Sequence, residues 1–461
     1  MTTSARARST PGSVRRGGCY RRGVPLSPRR GRAAVAAAAA VLALAAACTG
    51  PADTQRAQTA GPSASTSVGG PAPTGSGSAG AAPDLLRLAP PRHGSFLVRG
   101  TYPDEPSPCK RHRRPVLRAR YPGTLLVRRA SDGSLELTVV LPFERYLEGL
   151  AEVPPSWPMA ALEAQAIAAR SYALATTGWS GEQGERLERP ICATSACQVY
   201  RGLPLEGAGE VRRWYRAVRR TRGLVLLFQG RPAETVYFST SDGRTYGNDE
   251  VFGSAPLPYL RPVPERDDGA SPLSHWRVRI PLADLARLLA AAGAWPADAP
   301  IADVRPSGGT VRILGGGSSR RIEVSDLRTA VNTWAPCLMP GRYPPGGLPS
   351  TIPSRWVRLR SAGGALVATG RGWGHGVGMV QWGAYGKALR RWSASQILAF
   401  YYGGLQPQRY PEPGLIRVRV ASGLTSLRIV PSGSGARLDG DPAPAGPIRI
   451  LGGEHLTVNV P

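Results

Sequence analysis

Lysine is almost missing from this chain. Of its 58 basic residues only Lys110 and Lys387 are lysines, so its basicity reflects an arginine-biased composition as much as a selected binding surface. Histidine is scarce as well, with five in 461 residues and none between His112 and His275. That is too few for a histidine-built metal centre, and neither a metal nor any other cofactor is expected. No zinc-finger spacing and no helix-turn-helix pattern accompanies the net charge of +27, so no nucleic-acid partner is expected. Regular alternation of strands with helices is missing, which argues against a parallel sheet, and no internal repeat is found. Acidic residues are absent from positions 1–48, which hold nine arginines; without that stretch the charge is 27 − 9 = +18. A surface this basic favours polyanions through long-range attraction.

What is present begins with an export signature. Arginines at 15, 16, 21, 22, 29, 30 and 32 precede an apolar run of 15 residues, Ala33 to Ala47. The run is too short for a comfortable permanent span of a bilayer and suits a signal h-region. It closes on Leu44-Ala45-Ala46-Ala47-Cys48, small residues before a cysteine, which resembles a lipoprotein cleavage site with Ala45 where leucine is usual. Residues 1–48 are therefore expected as a signal peptide ending in a lipid anchor on Cys48; ordinary cleavage nearby, giving a soluble secreted protein, is the alternative. Arg29-Arg30 raises a twin-arginine route but lacks the usual flanks. From 49 to 83 the chain is mostly Ala, Gly, Ser, Thr and Pro. Such a segment cannot bury enough surface to offset its ordering entropy, so a disordered tether is expected. The expected location is the outer face of the cell membrane or the wall, where polyanions would be teichoic-type polymers, anionic lipid or wall carboxylates.

Cys19 and Cys48 fall in the signal region, which leaves Cys109, Cys192, Cys197 and Cys337. In an oxidising compartment disulfides are the default. Of the three possible pairings we expect Cys192 with Cys197, a short local loop, and Cys109 with Cys337.

The folded part reads as α+β, an antiparallel β-rich core with packed helices. Strand alternation appears at Phe96–Val98, Thr124–Val127 and Leu135–Val140. Pro154, Pro155 and Pro158 then interrupt regular structure before a helix from Met159, where Leu162, Ala166, Ala169 and Ala173 form a small-residue face. Further on we expect a helix over 210–221, strands at 224–228 and 235–239, and a helix over 281–292. A strand pair at 309–315 and 321–325 should lead into a short helix, followed by a helix-rich block over 378–402.

Glu152 stands at the proline-marked break. An acid there can be shielded from water and aimed, as a proton donor needs; the plainer reading is a carboxylate that stabilises the following helix through its dipole. Glu144 and Glu148, just before it, read as solvent-facing charges. Glycines at 370, 372, 374, 376 and 378 surround His375 and imply unusual backbone torsions or a close approach. Gln381, Trp382 and Tyr385 follow at helical spacing.

The stretch FERYLEGLAEVPPSWPMAALEAQAIAARSYA (143–173) resembles the stage II sporulation protein D family (SpoIID/LytB), proteins acting on bacterial peptidoglycan. Three more stretches are similar to family blocks in the same order: ICATSACQVYRG, VYFSTSDGRTYGNDEVFGSAPLPYLRPV and GRGWGHGVGMVQWGAYGKAL. The resemblance covers roughly residues 90–405. It implies a catalytic region over 84–405, followed by a short β-rich extension over 406–461, and places the family's catalytic acid on Glu152. Substrate-binding positions are expected at Gln165, Arg170, Tyr172, Ser239, Ser241, Thr245, His375 and Gln381. Asp242 stands where the family more often has glycine, as a turn residue or as a second carboxylate. Some members bind zinc through a histidine and two cysteines; here that histidine is missing, which favours the Cys192–Cys197 disulfide.

The implied activity is lytic transglycosylase cleavage of peptidoglycan glycan strands, forming 1,6-anhydro-N-acetylmuramic acid ends with one glutamate as acid. Burial beside Trp157 or Tyr172 should raise its pKa. Two alternatives stay open: a non-catalytic wall-binding enhancer that partners a cell-wall amidase, and a hydrolytic muramidase using a second acid such as Asp242.

Overall fold

Leu135, Leu137, Val139 and Leu141 alternate with half-exposed or exposed neighbours along Leu135–Pro142, and all four are fully buried. That two-residue period turns one face of a strand into a core. The computed structural model describes residues 84–103, 116–181, 189–205, 209, 211–344, 351–444 and 446–460. Within them this strand sits inside a seven-stranded sheet ordered 441–442, 437–438, 85–89, 124–129, 135–142, 415–424, 191–192. Every pairing is antiparallel except the last. A five-stranded antiparallel sheet, ordered 457–459, 448–451, 426–431, 95–101, 116–122, adds Phe96, Val98, Ile429 and Ile450 to the same core. The architecture is mixed α+β with antiparallel sheets, the class the sequence implies.

The segment after 405, expected as a short β-rich extension, supplies inner strands of both sheets. Its 415–424 strand lies beside 135–142, and its 426–431 strand beside 95–101. The first and last strands of the described chain therefore share one core. Nothing local in the sequence announces such pairing, because its partners are some 300 positions apart.

Eight helices occur among the described residues. Helix α1 (Phe143–Glu148) continues directly from the strand, and α2 (Met159–Thr177) starts as expected after Pro158. Gly178 ends α2 in the left-handed conformation, φ 76°. Rather than one packing face, α2 buries nearly its whole circumference: Ala161, Leu162, Ala166 and Ala169 face the main core, while Ala164, Ile167 and Ala168 face another. Small side chains all round let neighbours approach from both sides. Helix α3 (Arg212–Arg220) and α4 (Asn248–Phe252) follow. Helices α5 (Leu282–Ala291) and α6 (Val324–Leu338) belong to a separate core over 273–368, with two three-stranded sheets; α6 runs 15 residues, where a short helix was expected. Helices α7 (Gln381–Leu389) and α8 (Ala394–Tyr401) cover the other side of α2, and Ser393 with Gln396 caps α8 reciprocally.

Glycine-rich 370–378 has positive φ at 372, 374, 376 and 378. Any side chain on Gly378 would strike the carbonyl of Val236, so glycine lets Met379–Val380 lie parallel to Tyr237–Phe238. The expected 235–239 strand is confined to that pair. Cys192 and Cys197 form a disulfide. Cys337 is disulfide-bonded, and its expected partner Cys109 lies outside the described residues, as do Cys48, the signal segment and the tether over 49–83.

Candidate active site

Gly149 closes α1, and a side chain there would collide with the ring of Tyr200. Its absence lets residues 149–152 run beside 199–201. Arg201 N–H donates to Gly149 O at 2.9 Å, and Ala151 N–H to Val199 O at 2.9 Å. Val199 N–H then donates to Oε1 of Glu152 at 2.6 Å. Tyr237 also hydrogen-bonds the Glu152 carboxyl. Burial pushes that carboxyl up to about 7, against the pull of both hydrogen bonds. This is the direction expected from the sequence. Glu152 nevertheless keeps part of its surface exposed. It can therefore hold or release a proton near neutrality while a ligand reaches it.

Tyr237 is oriented by a buried network that the sequence reading missed. Gln198 Nε2 donates to the Tyr237 hydroxyl oxygen at 3.0 Å and to Ala169 O at 3.1 Å, while its Oε1 accepts from the Tyr146 hydroxyl at 2.6 Å. Because Tyr237 accepts from Gln198, its own proton is free to go to Glu152. The available signal was the position of Gln198 directly after Cys197 in a family-like block. Tyr172 meets Tyr237 edge-on, with ring centroids 6.5 Å apart.

From the opposite side, Gln381 Nε2 on α7 donates to Glu152 O and to Gln165 Oε1, both at 3.3 Å. The Gln165 Nε2 is buried and has no partner among the described residues. Trp157, Trp382 and Tyr385 pack nearby with centroids 4.9–5.3 Å apart. Thus Glu152, Gln165 and Gln381 come together, with Tyr172 joined through Tyr237.

Other expected positions serve the scaffold in this structure. Arg170 is fully buried: Nε and Nη2 donate to Glu144 at 2.9 and 3.1 Å, and Nε lies 3.2 Å from Glu412. It shares no hydrogen-bond partner with Glu152, because the turn of α2 that carries it faces α3 and the segment around Glu412. Glu144, expected to face solvent, is instead the partner of that arginine, and burial raises its carboxyl to about 7. Glu148 likewise pairs with Arg145 at 2.5 Å. His375 has both ring nitrogens engaged by backbone, Nδ1 accepting from Val377 N–H at 3.1 Å and Nε2 facing Tyr237 O at 2.9 Å. That requires the proton on Nε2, and burial holds the imidazole down to about 4, so it is neutral. Ser241 donates from N–H and Oγ to Asp268 Oδ2, both at 2.8 Å; Thr245 Oγ1 accepts from Val263 N–H at 2.9 Å. The Ser239 carbonyl accepts from Trp382 N–H at 3.1 Å, which ties this loop to α7. Asp242 Oδ2 accepts from the Tyr246 hydroxyl at 2.8 Å. Among the described residues no group of three or more His, Cys, Asp or Glu could hold a metal ion.

Residues 131–228, which include Glu152, Gln165 and Gln198, match the model of the stage II sporulation protein (SpoIID) family. Over 274 residues the chain is 30% identical to an uncharacterized protein of Brachyspira hyodysenteriae, covering 58% of this chain and 66% of that relative. It is 27% identical over 295 residues to the stage II sporulation protein D of Bacillus amyloliquefaciens, covering 62% and 78%. To the amidase enhancer of Bacillus subtilis it is 28% identical over 290 residues, covering 55% of this chain and 38% of the enhancer. The chain carries, over residues 131–228, a region of the stage II sporulation protein family. It thus spans somewhat under two thirds of the first relative's length and well under half of the enhancer's.

Proposed function

We propose that this protein is an exported, wall-located lytic transglycosylase that cleaves the glycan strand of peptidoglycan, with Glu152 as its acid. The observation that carries the reading is that the Glu152 carboxyl is raised to about 7 by burial, is held by Val199 N–H and Tyr237, and stays partly exposed, whereas Glu144, raised to a similar value, is bound to Arg170. Protonated Glu152 donates to the glycosidic oxygen between N-acetylmuramic acid and N-acetylglucosamine, and the C1–O bond breaks. The muramic C6 hydroxyl closes on the oxocarbenium-like C1, and its proton passes to the Glu152 carboxylate, restoring the acid. No water is consumed, so one carboxyl suffices where a hydrolase uses two. Gln381 and Gln165 would position the acid, through the Gln381 Nε2 hydrogen bonds to Glu152 O and Gln165 Oε1.

The amidase enhancer among the relatives supports a second reading, a wall-binding partner of an amidase. Mass spectrometry of purified glycan strands, stripped and peptide-bearing, incubated with the protein and with Glu152→Gln, tests both. Anhydromuramyl ends from the wild type alone are expected. Reducing ends would replace the reading with a muramidase, and binding without any product would favour the enhancer.

A further inference from the structure

Across the outer face of the five-stranded sheet, arginines stand in one row. Arg118 is in register with Arg99, Arg99 with Arg428, Arg428 with Arg449, and Arg449 with Asn459. Neighbouring strands lie about 4.8 Å apart, so four cationic side chains line up within about 14 Å. All four arginines are exposed, whereas Val98, Ile429 and Ile448 on the reverse face are buried. The five strands contain no acidic residue, and no described carboxylate pairs with any of the four.

Like charges directly opposite one another destabilise a sheet. Two other sheet positions rich in arginine do have a carboxylate beside them. On the seven-stranded sheet Arg128 stands opposite Glu136, and Arg419 lies 3.9 Å from the same carboxylate. A shorter row, Arg305, Arg312 and Arg321, has Asp303 at 2.8 Å from Arg305. Three of the four, Arg99, Arg428 and Arg449, instead border a groove of about 520 Å³, which Thr101, Ser426 and Asn459 also line.

We propose that this row is a binding surface for a linear phosphodiester-linked polyol polymer. Guanidinium forks match phosphate oxygens two at a time. A straight row suits a chain that repeats its charge, whereas a single small anion needs convergent donors. The hydroxyl and amide groups of the groove suit the polyol between phosphates. The surface shares no residue with the Glu152 site, so the polymer would hold the protein in place without entering the cleft.

The test measures binding of the full-length protein to poly(glycerol phosphate) across a range of salt concentrations. Arg99→Gln/Arg428→Gln should lose tenfold or more in affinity, with a shallower dependence of log K on log salt. Arg312→Gln/Arg321→Gln, which removes the same charge elsewhere, should stay within about twofold, by the same electrostatic reasoning. Thermal melting no lower than wild type in both variants separates lost contacts from lost fold. Equal losses in the two variants, or none in the first, would overturn the proposal. It would also be overturned if phosphatidylglycerol vesicles, or a single-stranded oligonucleotide of matched phosphate content, bound more tightly than the polymer and with the same sensitivity to Arg99 and Arg428.

Discussion

Val199 donates its backbone N–H to Oε1 of Glu152 at 2.6 Å, one residue beyond the glutamine that orients Tyr237. Both donors to the acid are thus placed by a single short segment, 198–199, and the acid is positioned by the prolines on the other side. This coupling makes the protonation of Glu152 a property of two loops packed on α2 and not of one exposed side chain.

Replacing Glu152 by Gln should remove about 10²–10⁴-fold of the glycan-cleaving rate while leaving the fold intact, since the amide oxygen can still accept from Val199. The wild-type rate should fall as pH rises through about 7, where the acid loses its proton. Stability moves in the same sense. A folded pKa raised from 4.5 to about 7 favours the fold fully below the unfolded value and is lost as pH rises through the folded one. The Gln variant should therefore gain on wild type above neutrality, by at most about 3 kcal/mol, readable by denaturant melts at pH 5 and pH 8.

Tyr237→Phe removes a hydrogen bond that lowers the Glu152 pKa. The descending limb of the pH–rate profile should move to higher pH, and kcat should change more than KM. Gln198→Leu should shift the limb less, because Tyr237 remains but is no longer held. An unmoved limb in Tyr237→Phe would show that the tyrosine does not act on the acid.

Much of this architecture was legible, and the failures share a cause. The proline-marked start of α2 and the strand over 135–142 follow from backbone chemistry and period, which are local. The family-like blocks pointed to Glu152, Gln165 and Gln381, which do meet. Arg170 and Glu144 misled because arginine and glutamate are rarely buried, and only a fold that juxtaposes α1, α2 and the segment around Glu412 makes them each other's partner. Gln198 and Tyr237 were unremarkable as letters, since their importance lies in a long-range network. The C-terminal strands looked like an appendage for the same reason.

Arg170→Ala should cost about 3–5 kcal/mol in stability, because it strands two carboxylates around a buried position. Arg170→Lys should recover only part, since a lysine cannot reproduce the paired Nε and Nη2 donation to Glu144. If Arg170 touched substrate instead, KM would rise in the Lys variant with the melting midpoint unchanged.

The Cys192–Cys197 disulfide closes a loop immediately before Gln198. By chain-entropy reasoning so short a loop contributes only about 2 kcal/mol. Its effect on the site should be larger than its effect on the fold, because the Cys197 end of the loop leads straight into the residues that hold the acid. Cys192→Ser/Cys197→Ser should remain folded at 25 °C yet lose activity, and its pH–rate limb should move upward as the Val199 and Tyr237 hydrogen bonds loosen. A variant that lost stability but kept the wild-type limb would show that the disulfide supports the fold alone. Circular dichroism melts alongside rates at several pH values distinguish the two results.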